Sequence, residues 1–132
     1  MSPREYARVL NVGRIALGLT LLLAPRLSAR AWIGADAARP GTAAVARAHG
    51  VRDAVLGVIA LQTIDDPLYG PRCQRLAGLC DAVDLGATVA ARRSLPPTGA
   101  LVGLLAAAGL VGQLWVAAEL AAGSPEDGAS AG

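Results

Sequence analysis

The stretch RAHGVRDAVLG, residues 47–57, places two arginines, a histidine and an aspartate within about three helical turns of otherwise small and apolar sequence. In a soluble helix such groups face water. A later part of the same chain argues for a different setting. Residues 98–118 carry no charge and a single strongly polar side chain, Gln113, over the length of about 20 residues that crosses a bilayer. A soluble helix shows a polar face, and this segment has none. Where the charges of residues 47–57 go therefore decides the fold.

The composition agrees with a lipid setting. Of 132 residues, 54% are hydrophobic and 17% charged, with a mean hydropathy of +0.47, against about 25% charged residues in an ordinary soluble domain. The length suits one domain. Phe and Lys are absent and all twelve basic residues are Arg, a bias typical of a high-GC bacterial genome and not of a function. A net charge of +2, scattered arginines and few aromatics give no nucleic-acid surface. Cys73 and Cys80 fall on one helical face about 10 Å apart along the axis, too far for a disulfide with each other. No CxxC or Cys/His zinc pattern occurs, so both read as small buried thiols.

Four apolar segments emerge, at about 6–24, 42–63, 72–91 and 98–122, separated by Pro- and Gly-rich breaks. None alternates with period two, so no strands are expected. The expected architecture is all-α: an antiparallel four-helix transmembrane bundle over residues 1–122, with short loops and a disordered tail at 123–132. A soluble bundle is the alternative. Tyr6, Trp32, Tyr69 and Trp115 lie near segment ends or in loops, where an interfacial aromatic belt would place them. The first segment, which has no convincing cleavage site after it, is expected to be retained. The first loop, residues 25–41, reads either as a plain polar loop or as a short interfacial turn with Leu27, Ala31 and Trp32 near one face. Orientation is not legible, since the loops divide their arginines four against five. The expected location is the bacterial cell (inner) membrane, crossed several times.

Away from the segment ends stand six charges, Arg14, Arg47, Arg52, Asp53, Asp81 and Asp84, with His49 beside them. Each bare charge at a membrane centre costs about 2.5–3.5 kcal/mol on insertion scales, so six would cost roughly 15–20 kcal/mol. Three positives against three negatives suggest pairing. Asp81 and Asp84 are i, i+3 and project from one face; His49, Arg52, Asp53 and Leu56 share a stripe. The first three segments are thus expected to face one another across a buried ionic network, with segment four packed outside it. Gly18 would let a neighbouring helix approach closely, and Gly99-x-x-x-Gly103 with Gly109 and Gly112 offers further contact faces.

The network reads as helix glue or as a site, since intramembrane ionisable groups mark ligand, ion or proton paths. The candidate binding set is Arg14, Arg47, His49, Arg52, Asp53, Asp81 and Asp84. A metal is not expected: the arginines compete for the carboxylates, and the Glu-x-x-His pairs of helical di-iron sites are missing. Asp81-x-x-Asp84 fails the CDP-alcohol phosphotransferase pattern, because Leu85 stands where that motif wants Gly and no second Asp pair follows. Without a phosphate loop, HExxH or GxSxG, and with Ser28, Ser94 and Thr98 placed away from His49, the sequence offers no catalytic residues and implies no cofactor.

The runs GRIALGLTLLLAP (13–25), RAHGVRDAVLG (47–57) and GLCDAVD (78–84) resemble a family of small actinobacterial integral membrane proteins of unknown function. In outline they are similar to the DoxX-like four-helix membrane proteins. The resemblance covers about residues 14–120 and rests on Arg14, Arg47, Gly50, Arg52, Asp53, Asp81 and Asp84. It implies four helices and a charged core, and no established reaction. The expected role is structural or partner-directed, with the bilayer and a second copy or another membrane protein as partners. The alternative is a small transporter or a redox or lipid-binding membrane component whose arginine cluster binds an anionic group.

Overall fold

The computed structural model describes residues 1–123. Among them the chain is all-helical, with no strand. Helices α1 (Pro3–Leu23), α2 (Pro25–Ile33), α3 (Pro40–Gln62), α4 (Tyr69–Ala91) and α5 (Pro97–Ala122) follow one another, with a 3-10 turn at Gly34–Ala38. Of the tail expected from residue 123 onward, Gly123 closes α5, and residues 124–132 lie outside the described residues.

Local chemistry sets the helix starts. Ser2 Oγ accepts from the Glu5 amide at 3.2 Å while Glu5 Oε2 accepts from the Ser2 amide at 2.7 Å. This reciprocal cap begins α1 at Pro3, ahead of the Tyr6 start expected from hydropathy. Pro25, Pro40 and Pro97 open α2, α3 and α5, where a missing amide proton costs nothing. Asp66 Oδ1 accepts from the amides of Leu68 and Tyr69 at 2.9 and 2.7 Å, turning the chain into α4.

The first loop, residues 25–41, is not a plain polar connection. It folds into α2, ended at Gly34 with φ of 65°, a left-handed conformation that glycine adopts freely, and then into the 3-10 turn. Pro25 and Ala29, four apart, form its buried face, and Ala29 joins Leu21, Ala37 and Ala46 in a small apolar cluster. Leu27 is 77% exposed. Helical spacing from Pro25 decides which side is covered, and Leu27 lies on the other.

Two helix pairs carry the packing. In α1 and α3, a methyl on Gly18 would stand 2.5 Å from the Gly50 carbonyl oxygen, and one on Gly50 2.5 Å from the Gly18 carbonyl oxygen. Further along, Gly57 lies against Asn11 and Ile15, so the two helices run in opposite directions. In α4 and α5, Gly78 meets Gln113, Asp81 meets Gly109 and Thr88 meets Gly103, again an antiparallel register. Gly112 admits the Tyr6 ring of α1, and Tyr6 meets Trp115 edge-on at 5.3 Å and 86°. The α5 glycines expected to give contact faces meet neighbours within this chain: Gly99 meets Leu95 and Trp32, and Gly103 meets Thr88.

The distribution of polarity is inverted. Buried positions are mostly Ala and Gly together with Asn11, Arg14, Asp53, Gln74, Asp81, Thr88 and Gln113. The outer faces carry large aliphatic side chains: Val12 and Leu23 on α1, Val55 and Val58 on α3, Leu79 and Val83 on α4, Leu101 and Leu104 on α5, each at least 43% exposed. Two helices, α1 and α5, are long and apolar enough to cross a membrane. α3 and α4, at 23 residues each, are of similar length and carry three and four charged residues.

The α1–α3 crossing gives a direct test. Gly18→Ala and Gly50→Ala each drive a methyl into backbone with no room to yield. Each is expected to cost about 1–3 kcal/mol through overpacking, read as a lowered melting temperature of the detergent-solubilised protein. Gly86→Ala, where a methyl meets nothing within 4 Å, should leave the melting temperature unchanged or raise it.

Candidate functional site: a buried ion network under an apolar chamber

Helical geometry selects which charges meet. At about 100° per residue, His49, Arg52 and Asp53 fall within about 100° of arc on α3, while Arg47 lies about 140° from Arg52. Arg47 is accordingly exposed, beside Leu23, Ala24 and Leu27 at the rim, and takes no part in the network that was expected to include it. On α1, Arg14 faces inward on the stripe that holds Ala7, Asn11, Gly18 and Leu21. On α4, Asp81 and Asp84 project together as their spacing requires.

Arg14 is the centre. Its Nη1 donates to Asp53 Oδ1 at 3.3 Å and its Nη2 donates to Asp81 Oδ2. Arg14, Asp53 and Asp81 are 9%, 4% and 7% exposed, so this triad joins α1, α3 and α4 at buried positions. Arg52 extends it toward the rim. Its Nη1 and Nη2 donate to Asp84 at 3.2 and 2.6 Å, and its Nε and Nη2 to Asp53 Oδ1 at 3.2 and 3.0 Å. This two-pronged grip on Asp84 is the geometry in which guanidinium–carboxylate pairs are strongest. His49 Nε2 lies 3.1 Å from Arg52 Nη2, 3.5 Å from Asp84 Oδ2 and 3.6 Å from Asp53 Oδ2. Every carboxylate of the network therefore has a guanidinium partner.

A second polar layer lies beside it. Asn11 Nδ2 donates to the Ala7 carbonyl at 2.8 Å and to Gln74 Oε1 at 3.1 Å, and Gln113 Nε2 donates to Asn11 Oδ1 at 3.4 Å. All three amides are fully buried and join α1, α4 and α5. Asn11 and Gln74 were not among the expected residues. The signal was present: Asn11 is three before Arg14 and Gln74 seven before Asp81, each on its partner's face.

Above the network opens a chamber of about 410 Å³, within the size range of small-molecule sites. α1 and α5 form its sides with Val9, Leu10, Leu17, Val102, Leu105 and Ala106; Arg14, His49, Asp53, Asp81 and Asp84 form its polar floor. α2 closes one end with Ser28 and Trp32. The Trp32 indole donates to Thr88 Oγ1 at 3.1 Å, and Thr88 Oγ1 in turn donates to the Asp84 carbonyl at 2.8 Å. The Trp32 and His49 rings lie 5.5 Å apart. Segment four thus does not stand outside the network: Gly109 lies directly on the Asp81 carboxylate. Ser28, read as remote from His49, lines the same chamber, its hydroxyl donating to the Thr20 carbonyl at 2.9 Å. With residues 25–41 open between a polar loop and an interfacial turn, the sequence gives Trp32 and Ser28 no position beside the network.

Among the described residues, no group of three or more His, Cys, Asp or Glu side chains is arranged to hold a metal ion. Cys73 and Cys80 are free and half-buried. Compared with protein-family models, with curated proteins and with solved structures, the chain matches none.

The network makes an unequal prediction for two arginines. Arg14→Leu strands Asp53 and Asp81 in the interior and is expected to destabilise by about 3–5 kcal/mol, as for a broken buried pair. Arg47→Leu touches no carboxylate and should leave the melting temperature of the solubilised protein unchanged.

Proposed function

We propose that the chain is an integral membrane protein whose four long helices cross the bacterial cell membrane as an antiparallel bundle and whose chamber binds a small amphiphilic molecule. The inverted polarity supports the first half. Charges and amides occupy the interior while aliphatic side chains cover the outer faces of all four long helices, an arrangement favourable in lipid and unfavourable in water. Paired charges remove the objection that α3 and α4 are too polar to span.

The observation that carries the second half is the chamber itself. Its walls are aliphatic and its floor is ionic, so it offers an apolar tail and a polar head separate environments within one cavity of ligand size. The network then has two roles, fixing three helices in register and presenting the polar end of the site. Binding is favoured over catalysis because the chamber's Ser28 hydroxyl is held by the backbone of α1 and its charged groups are engaged with one another. A role confined to helix association, with a second copy or another membrane protein, is the second reading, favoured by the complete pairing of the carboxylates.

Two measurements test the proposal. The protein should stay with the membrane through an alkaline wash and need detergent for release; release by the wash alone would refute the spanning topology. Octyl-chain compounds should raise the melting temperature of the purified protein. Ala106→Trp, which fills the chamber from α5, should abolish that rise, whereas Ala108→Trp on the exposed side of the same helix should preserve it.

A further inference from the structure

We infer that the chamber takes a singly charged organic cation bearing an apolar tail, and that this cation exchanges with a proton on His49. The inference rests on the chamber being a ligand site and adds the charge of the ligand.

The floor is one positive charge short. Arg14 from α1, Arg52 and Asp53 from α3, and Asp81 and Asp84 from α4 face His49 and one another. α2 contributes the uncharged Trp32, and the α5 wall is Val102, Leu105, Ala106 and Gly109. Two guanidiniums against three carboxylates leave a single negative charge when His49 is neutral, and none when it is protonated. An unbalanced charge in a low-dielectric interior is strongly disfavoured. Arginine does not give up its proton, so the balance is restored either by a proton within the network or by a cation from outside.

His49 is placed for both states. Unprotonated at Nε2, it accepts from Arg52 Nη2 at 3.1 Å. Protonated there, it faces Asp84 Oδ2 at 3.5 Å and Asp53 Oδ2 at 3.6 Å. It is also the floor residue beside the Trp32 ring, and an indole face next to a cation adds attraction. As the cation enters, the proton leaves His49, and the net charge of the floor with its occupant stays at zero. Entry of an anion would instead deepen the negative excess, and Arg14, the arginine that lines the chamber, already directs both Nη groups to carboxylates. The aliphatic walls select an organic cation over a hydrated inorganic ion.

The test is a charge series on the full chain in nanodiscs of neutral phosphatidylcholine, with empty nanodiscs as the blank. Calorimetry compares octyltrimethylammonium, its neutral carbon isostere 2,2-dimethyldecane and octanoate at about pH 8 and about pH 5.5. The expected result is binding of the ammonium at the higher pH at least about tenfold tighter than the isostere. That preference should shrink to about twofold at the lower pH, where the proton competes. His49→Gln should remove the drop between the two pH values. Equal affinity for ammonium and isostere overturns the cation and leaves the chamber as a site for neutral amphiphiles. Tightest binding of octanoate overturns it in favour of an arginine-held anion. A preference for ammonium that is the same at both pH values overturns the exchange with His49. Binding of none of the three overturns the chamber as a ligand site, and this inference with it. The wild-type series decides among these outcomes even if a variant fails to fold.

Discussion

One guanidinium held between two carboxylates of two other helices is the constraint on which this structure depends. Arg14 reaches Asp53 on α3 and Asp81 on α4, and all three are buried. A charge in that position cannot shift by a turn of helix without leaving a partner bare, and a bare partner there is worth several kcal/mol of instability. The register of α1 against α3 and of α1 against α4 is therefore fixed by chemistry at one point. Apolar packing alone would fix it weakly in a chain whose interior is largely Ala and Gly, because small side chains interlock poorly.

The small residues follow from the same constraint. For Arg14 to reach Asp53 directly, the backbones of α1 and α3 must come close, and Gly18 and Gly50 face each other about one turn from the ion pair. For α5 to cover Asp81, it must present Gly109 at that level. Close approach in turn gives van der Waals contact between the two backbones, individually weak and collectively large. The three amides of Asn11, Gln74 and Gln113 repeat the scheme with neutral groups, tying α5 to α1 and α4 where no charge is available.

Much of this was legible in the sequence, and the limits have physical causes. The helical character of the long segments followed from hydropathy and from Pro and Gly at the breaks, because those signals are local. The inward direction of Arg14, His49, Arg52, Asp53, Asp81 and Asp84 followed from the cost of leaving charges in lipid. Arg47 was misplaced because charge counting treats a helix as a point, while its angular position about 140° from Arg52 sends it to the rim. α2 was hidden for a related reason: nine residues with two buried positions carry too little periodicity to distinguish a helix from a loop. The chamber was beyond reach altogether. A cavity is defined by which residues fail to touch, and that depends on the divergence of helices remote in sequence.

That divergence has a traceable origin. The bundle is two tight pairs, α1 with α3 and α4 with α5, joined by the ion network and the amide layer. At one end α1 and α5 close on each other: Ala7, Val116 and Leu120 share a cluster with Ile64, and Tyr6 fits over Gly112. Past Asn11 the α1–α5 seam opens, since Gly13 meets nothing within 4 Å and Ala106 and Gly109 are too short to cross. The α1–α3 and α4–α5 registers are already fixed, so neither helix can lean over to fill the gap. α2 and Trp32 cover its far end without occupying it. The cavity thus arises where two rigid pairs meet on a charged pivot, and its floor is necessarily the pivot itself. The same residues that hold the helices together are the ones any occupant must meet.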